Sequence, residues 1–302
     1  MADGIADIIA AAKAGNPQAL TALAHAQALG CWTPRNLDMA LDNLARAASV
    51  GWTPALRELQ LLAHSPAANA KKLRETVNAK AWRRAPERRA LLETPRLRVF
   101  ENFATAAECD WLIACCKDKL QRAQIYNDAG TSMQVGNSRT NTEADYEFDL
   151  SDIPLSLIRD RIANATTAPV EHFEVAKLLH YNPGEAFSRH SDFFHAWMTE
   201  EIEARGQRVA TFLIYLNDDY DGGETEFVEV GYKFKGRKGD ALLFINVDRE
   251  GVGDPMSLHA GQPTTRGEKW VLSQWIRSKP INAYQTPRAP TEHLPPEWYR
   301  DA

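Results

Sequence analysis

The feature that most constrains this fold lies in the second half of the chain. There, short β-branched and aromatic segments follow one another closely: Phe173–Tyr181, Ala186–His190, Arg208–Leu216, Glu224–Phe227, Ala241–Ile245, Ser257–Ala260 and Trp270–Ile276. Turn residues punctuate them, at Asn182-Pro183-Gly184, Gly222-Gly223 and the stretch Gly236–Gly239. Short strands separated by glycine-rich turns are the pattern of an antiparallel jelly-roll sandwich. Just upstream, Val99-Phe100 reads as a short strand and Thr105–Leu120 as a helix. Thr105 is its N-cap, and Glu108 three residues on completes a capping box. Residues 127–141 are polar and contain glycine, which reads as a long loop or a disrupted hairpin, and long loops in compact domains are commonly functional.

The first part of the chain follows a different rule. Ala14-Gly15-Asn16-Pro17-Gln18-Ala19-Leu20 aligns with Val50-Gly51-Trp52-Thr53-Pro54-Ala55-Leu56 at an offset of 36 residues, and the match extends from Ala11-Ala12 to Leu23. A period in the mid-thirties, with Ala and Leu at helical spacing and Gly at the turn, describes stacked helix pairs. The segment resembles Sel1-like repeats, relatives of the tetratricopeptide repeat, over roughly residues 5–65. Fewer than two full copies are legible, so the array is expected to lean on a basic helix at Lys71–Leu92 or on the domain that follows. It is either a partner-binding surface or a plain alanine-rich helical domain. The chain is thus read as α+β: residues 1–92 a small all-α repeat region with its connecting basic helix, 93–280 the jelly roll with flanking helices, and 281–302 a proline-rich tail.

A chain of 302 residues accommodates one good core and a smaller domain. Its net charge of −5 gives no general attraction to nucleic acid or to an anionic membrane. No apolar run approaches the roughly 18–20 residues of a membrane span, and the acidic N-terminus is unlike a secretory signal, so a cytoplasmic location is expected. Cys31, Cys109, Cys115 and Cys116 have no metal-ligand spacing and read as reduced packing residues.

Chemistry concentrates in three residues. In His190-Ser191-Asp192, side chains two apart on a strand point the same way, so His190 and Asp192 can reach one ion together. His259, 67 residues after Asp192, can join them where the strands of a jelly roll cross. Two imidazoles and one carboxylate on one face of a metal form the facial triad of non-haem iron oxygenases, which leaves positions open for an oxidant and a co-substrate. Lys269 lies ten residues further on, where a cation can pair with a dicarboxylate co-substrate at about 1.5–3 kcal/mol. Tyr181 can donate its hydroxyl to the same ligand.

The segments "HYNPGEAFSRHSDFF", "RVATFLIYLNDDYDGGETEF", "KGDALLF" and "SLHAGQPTTRGEKWVLSQWIR" resemble the catalytic core of the prolyl 4-hydroxylase family of Fe(II)/2-oxoglutarate dioxygenases, over about residues 95–278. The resemblance implies a double-stranded β-helix with His190, Asp192 and His259 on Fe(II). It implies Lys269 on the distal carboxylate of 2-oxoglutarate, Tyr181 assisting it and Thr211 lining the pocket. O2 and 2-oxoglutarate would be consumed, succinate and CO2 released, and a substrate C–H bond hydroxylated, with ascorbate as a reductant. Because Asp192 stands where related halogenases lack a carboxylate, hydroxylation is implied over halogenation.

Arg139, Arg208, Trp275 and Arg277 match positions near the peptide groove of the family. The arginines would hold substrate carbonyls and Trp275 would pack on a proline ring; alternatively, they form ion pairs and core. Phe187 stands where the family often has Tyr, and "GQPT" replaces the more usual Gly-Cys-Pro-Val. The expected reaction is prolyl hydroxylation of a peptide or protein recruited by the helical repeats. The alternatives are oxidation of another residue or a small molecule, and a non-catalytic repeat-based binding protein.

Overall fold

The strand series forms two principal antiparallel sheets that share a core, with two further two-stranded pairings beside them. The computed structural model describes residues 2–126, 133–281 and 293–302, and these fall into two units. The first comprises Met1–Arg84 and Phe148–Asn164; the second is formed chiefly by Ala85–Glu147 and Ala165–Ala283.

In the second unit an eight-stranded sheet runs in the order Arg89–Glu93, Arg96–Phe100, Ala241–Ile245, Arg208–Tyr215, Lys269–Arg277, Lys177–Tyr181, Thr142–Asp145, Gln121–Arg122. A four-stranded sheet has the order Tyr232–Phe234, Thr225–Phe227, His259–Gly261, Phe187–His190. Leu97, Leu179, Leu213, Phe244 and Val271 of the large sheet meet Phe227 of the small one in a common core, with Phe187 and Phe234 packed against it. Each strand can bury alternate residues between the sheets because side chains alternate across a pleat. The central strand Arg208–Tyr215 is buried on both faces, and on its outer side Phe212 packs against Phe100 and Phe103 at ring separations of 5.5 and 4.8 Å.

Local signals behave as expected at two places. The helix Ala106–Cys116 begins with the full capping box: Glu108 N donates to Thr105 Oγ1 at 3.2 Å, and Thr105 N donates to Glu108 Oε2 at 3.0 Å. The turn after Tyr181 closes with Glu185 N donating to Asn182 O at 3.0 Å, and Gly184 takes the positive φ that a type II turn requires.

The first unit is all helical: Ala2–Lys13, Pro17–Leu29, Leu37–Ser49, Thr53–Leu62, Ala70–Thr76, Ala79–Trp82 and most of Ile153–Thr166. Ala24, Ala26, Ala40 and Ala47 are fully buried, and such small side chains let the helices pack closely. Glu58 accepts from Ile153 N at 3.1 Å, and Asp160 accepts from Arg35 and Arg83 at 2.7 and 2.8 Å, which ties the late helix to the early ones.

The expected continuous helix at Lys71–Leu92 is absent. Asn69 and Asn78 each accept the N–H three residues on and so start separate short helices, Ala70–Thr76 and Ala79–Trp82. Pro86 then lies in a connector, and Arg89–Glu93 pairs as an edge strand with Arg96–Phe100. The contact boundary consequently lies at Arg84, with residues 148–164 belonging to the first unit. Residues 127–132 of the expected loop and 282–292 of the tail lie outside the described residues; Gln124–Tyr126 and Met133–Val135 pair as a hairpin, and Pro296–Asp301 is helical. No described helix is long and apolar enough to cross a membrane.

Candidate active site

Strand register brings the two histidines together. His190, at the end of Phe187–His190, sits directly opposite His259 on His259–Gly261, and their ring centroids are 4.2 Å apart. Each Nδ1 faces the backbone carbonyl two residues earlier, Ser188 O at 2.8 Å and Ser257 O at 3.0 Å. A ring that donates from Nδ1 keeps the Nε2 lone pair for a metal. Both Nε2 atoms lie 3.7 Å from oxygens of Asp192, and one ligand atom from each of the three residues falls within 4.8 Å of the others. Burial, and then the neighbouring His259, hold the His190 imidazole below its ordinary range. Burial pushes Asp192 the other way, but His259, His190 and the Thr211 hydroxyl hold it as a carboxylate. Two imidazoles and one carboxylate are the donor set that suits Fe(II).

Asp192 reaches this position without strand alternation. The strand ends at His190, and Asp192 lies in the bend that follows. What orients it is Thr211, whose hydroxyl donates to Asp192 Oδ2 at 2.6 Å and accepts from Asn246 Nδ2 at 3.0 Å. The Thr211 side chain lines the chamber as expected, but its hydroxyl is committed to Asp192 and serves the triad instead of the co-substrate.

Behind the triad lies a small chamber lined by Tyr181, Thr211, Leu213, Lys269, Ser273 and their neighbours. Lys269 stands opposite Tyr181 in the register and donates to Gly223 O at 2.7 Å. Gly223 has φ +69, and a Cβ there would meet Lys269 Cδ at 3.2 Å, so glycine both permits the turn and admits the ammonium. Among the described residues Lys269 has no carboxylate partner within ion-pair distance, and burial pulls its pKa down to about 8. A buried ammonium bonded only to a carbonyl is incompletely compensated, and a ligand carboxylate would complete it. Burial likewise pushes the Tyr181 phenol up to about 12, so it is a hydroxyl donor at neutral pH.

On the other side, an outer groove shares Arg139, Phe187, His190, Asp192 and Trp275 with the chamber, so His190 and Asp192 lie on their common wall while His259 lines the chamber alone. Arg139 lies over the Phe187 ring at 4.7 Å and pairs with Glu143 at 2.6 Å. Arg208 is clamped by both oxygens of Glu174, at 2.6 and 2.8 Å, and lies 4.0 Å over the Trp275 ring.

Arg277 is on neither cavity wall, contrary to the expectation of a substrate contact. Lys269, Val271, Ser273 and Trp275 alternate along one strand face into the chamber, but the register shifts between Ile276 and Arg277. Arg277 is thereby fully buried and bonded to Glu174 at 2.5 Å, Glu201 at 2.5 Å and Gly206 O at 2.8 Å. It is a core ion-pair residue.

The sequence reading missed Asn246, Glu174 and Trp197. Asn246 and Glu174 act through hydrogen bonds to residues 35 and 34 positions away in the chain, which no local pattern encodes. The run Phe193-Phe194-His195-Ala196-Trp197 directly after Asp192 was a visible aromatic signal.

Residues 176–277 match the 2OG-Fe(II) oxygenase superfamily model. The chain is 34% identical over 203 residues to prolyl 4-hydroxylase 2 of Arabidopsis thaliana, covering 60% of this chain and 67% of that protein. It is 34% identical over 215 residues to probable prolyl 4-hydroxylase 4 of the same plant, covering 64% of this chain and 71% of that one. Among solved structures, a viral collagen prolyl hydroxylase of Paramecium bursaria Chlorella virus-1, in complex with 2OG, aligns at 25% identity with a TM-score of 0.47, covering 60% of this chain and 95% of that one.

Proposed function

This chain belongs to the prolyl 4-hydroxylase family of 2-oxoglutarate- and Fe(II)-dependent oxygenases, and we propose that it hydroxylates prolyl residues in a peptide or protein. The observation that carries this reading is that His190 and Asp192 line both a small chamber, which also holds His259 and the buried cation Lys269, and an outer groove with aromatic walls. His190, Asp192 and His259 hold Fe(II), which when bound supplies O2 activation coupling 2-oxoglutarate decarboxylation to C–H hydroxylation. Lys269 takes the distal carboxylate of 2-oxoglutarate, and Tyr181 donates its hydroxyl to the same ligand. Lys269 and Tyr181 are both buried, and a low-dielectric setting strengthens such bonds. Thr211 and Asn246 fix the rotamer of Asp192.

Trp275, with Arg208 stacked over its ring at 4.0 Å, offers an aromatic wall for the prolyl ring beside His190 and Asp192.

The first unit, in this reading, is a Sel1-like array that recruits the protein carrying the target proline. In support, the aligned glycines Gly15 and Gly51 both have φ +86. In each turn the glycine N–H donates to the alanine three residues back, and the next N–H donates to the alanine five residues back.

The test is incubation with prolyl peptides, Fe(II) and 2-oxoglutarate in air, followed by mass spectrometry. One oxygen gained on proline is expected, and oxidation confined to other residues overturns the prolyl assignment. A protein target should have a lower KM than the short peptide carrying the same site, and equal values remove the recruiting role.

A further inference from the structure

The outer groove contains more recognition surface than a prolyl ring needs, and its composition indicates what flanks that ring. Its cations are already compensated: Arg139 by Glu143, Lys177 by Asp145 at 2.5 Å, Arg189 by Glu229 and Arg208 by Glu174. A groove whose charges are paired internally gives an acidic substrate little to gain. The groove therefore discriminates through apolar contact.

The segment after Asp192 is built to provide such contact. Gln207 clamps the backbone of Phe194 at two points: Phe194 N donates to Gln207 Oε1 at 2.6 Å, and Gln207 Nε2 donates to Phe194 O at 2.7 Å. The Phe193 ring covers Gly253, where any Cβ would collide with it. Phe194 and Met198 are buried, and Met198 N closes a turn on His195 O at 2.8 Å. This anchored turn nevertheless leaves Trp197 56% exposed on the groove wall, its indole stacked on His195 at 5.7 Å and 12°. Holding a large aromatic in water on a fixed frame gains nothing for folding, whereas a preorganised indole is an efficient binding anchor.

We propose that Trp197, supported by His195, is a specificity-determining subsite that stacks on an apolar ring, proline or aromatic, flanking the hydroxylated residue of an uncharged peptide. This rests on the peptide-hydroxylase reading and deepens it. Trp197 is not on the wall of the 2-oxoglutarate chamber, so it acts on peptide affinity and not on the co-substrate.

The test uses the full-length protein and a host peptide with one target proline, varied at each flanking position among alanine, glutamate, proline and phenylalanine. Proline or phenylalanine at one flank should lower KM relative to alanine, and glutamate should not. Trp197→Ala should raise KM for the ring-flanked peptide about tenfold, with kcat and peptide-independent succinate release unchanged, and Trp197→Phe should recover most of the loss. KM should also be nearly independent of ionic strength. Equal KM in Trp197→Ala and the parent, or a preference for glutamate, overturns the proposal. If the Trp197 effect holds while mass spectrometry finds oxygen only on residues other than proline, the prolyl reading fails and the ring-stacking subsite stands.

Discussion

Replacing Glu174 by glutamine tests whether the Glu174–Arg277–Arg208 network is structural. Glu174 is 7% exposed and accepts from Arg277 Nε at 2.5 Å and from Arg208 Nε and Nη2 at 2.6 and 2.8 Å. Burial opposes its charge, but the Arg208 and Arg277 guanidiniums prevail and hold its carboxyl at about 2, against an ordinary value of 4.5. That difference corresponds to about 3 kcal/mol of stability at neutral pH. Breaking a buried pair costs about 3–5 kcal/mol, so E174Q, which keeps one acceptor oxygen, should lose about 3 kcal/mol. Because the folded value is depressed, the contribution is complete above about 4.5 and disappears as pH falls toward 2. The stability gap between parent and variant in urea denaturation should therefore be widest at neutral pH and narrow in acid. A loss below about 1 kcal/mol at neutral pH would refute the assignment of Arg277 to the core.

Two further substitutions separate the chamber from the triad. Lys269→Met should raise KM for 2-oxoglutarate about 10- to 150-fold, the equivalent of the charge-assisted bond it removes, while metal affinity measured by calorimetry stays at the parent value. In the parent, Lys269 titrates near 8 before ligand binds, so 2-oxoglutarate affinity should weaken as pH rises past that value, and a flat profile argues against a charged Lys269 contact. Thr211→Val removes the donor to Asp192 and leaves Asn246 Nδ2 without its acceptor. It should weaken Fe(II) binding about 10- to 100-fold in a metal titration, with 2-oxoglutarate affinity less affected.

Local chemistry made much of this legible. The capping box at Thr105 and the turn at Asn182-Pro183-Gly184 depend on residues within four positions of each other, and both formed as expected. His190, Asp192 and His259 were identifiable because Lys269, Tyr181 and several ordered motifs accompany a His-x-Asp pattern that carries little by itself. What escaped depends on register. The family match put Arg277 near the groove beside Trp275, whereas the register shifts after Ile276 and Arg277 is buried among Glu174, Glu201 and Gly206. Thr211 was placed correctly on the chamber wall, yet its partner Asp192 is set by a contact between a bend and a central strand. The basic run from Lys71 read as one helix because its charge pattern outweighed Asn78 and Pro86, the residues that interrupt it.

The central claim is that His190, Asp192 and His259 hold iron beside a 2-oxoglutarate chamber closed by Lys269. The most direct measurement is succinate release by the purified protein supplied with Fe(II), 2-oxoglutarate and air, alongside Asp192→Ala. Succinate from the parent and none above background from the variant is the predicted result. Equal release from both, or no release and no iron binding by the parent, would contradict the claim.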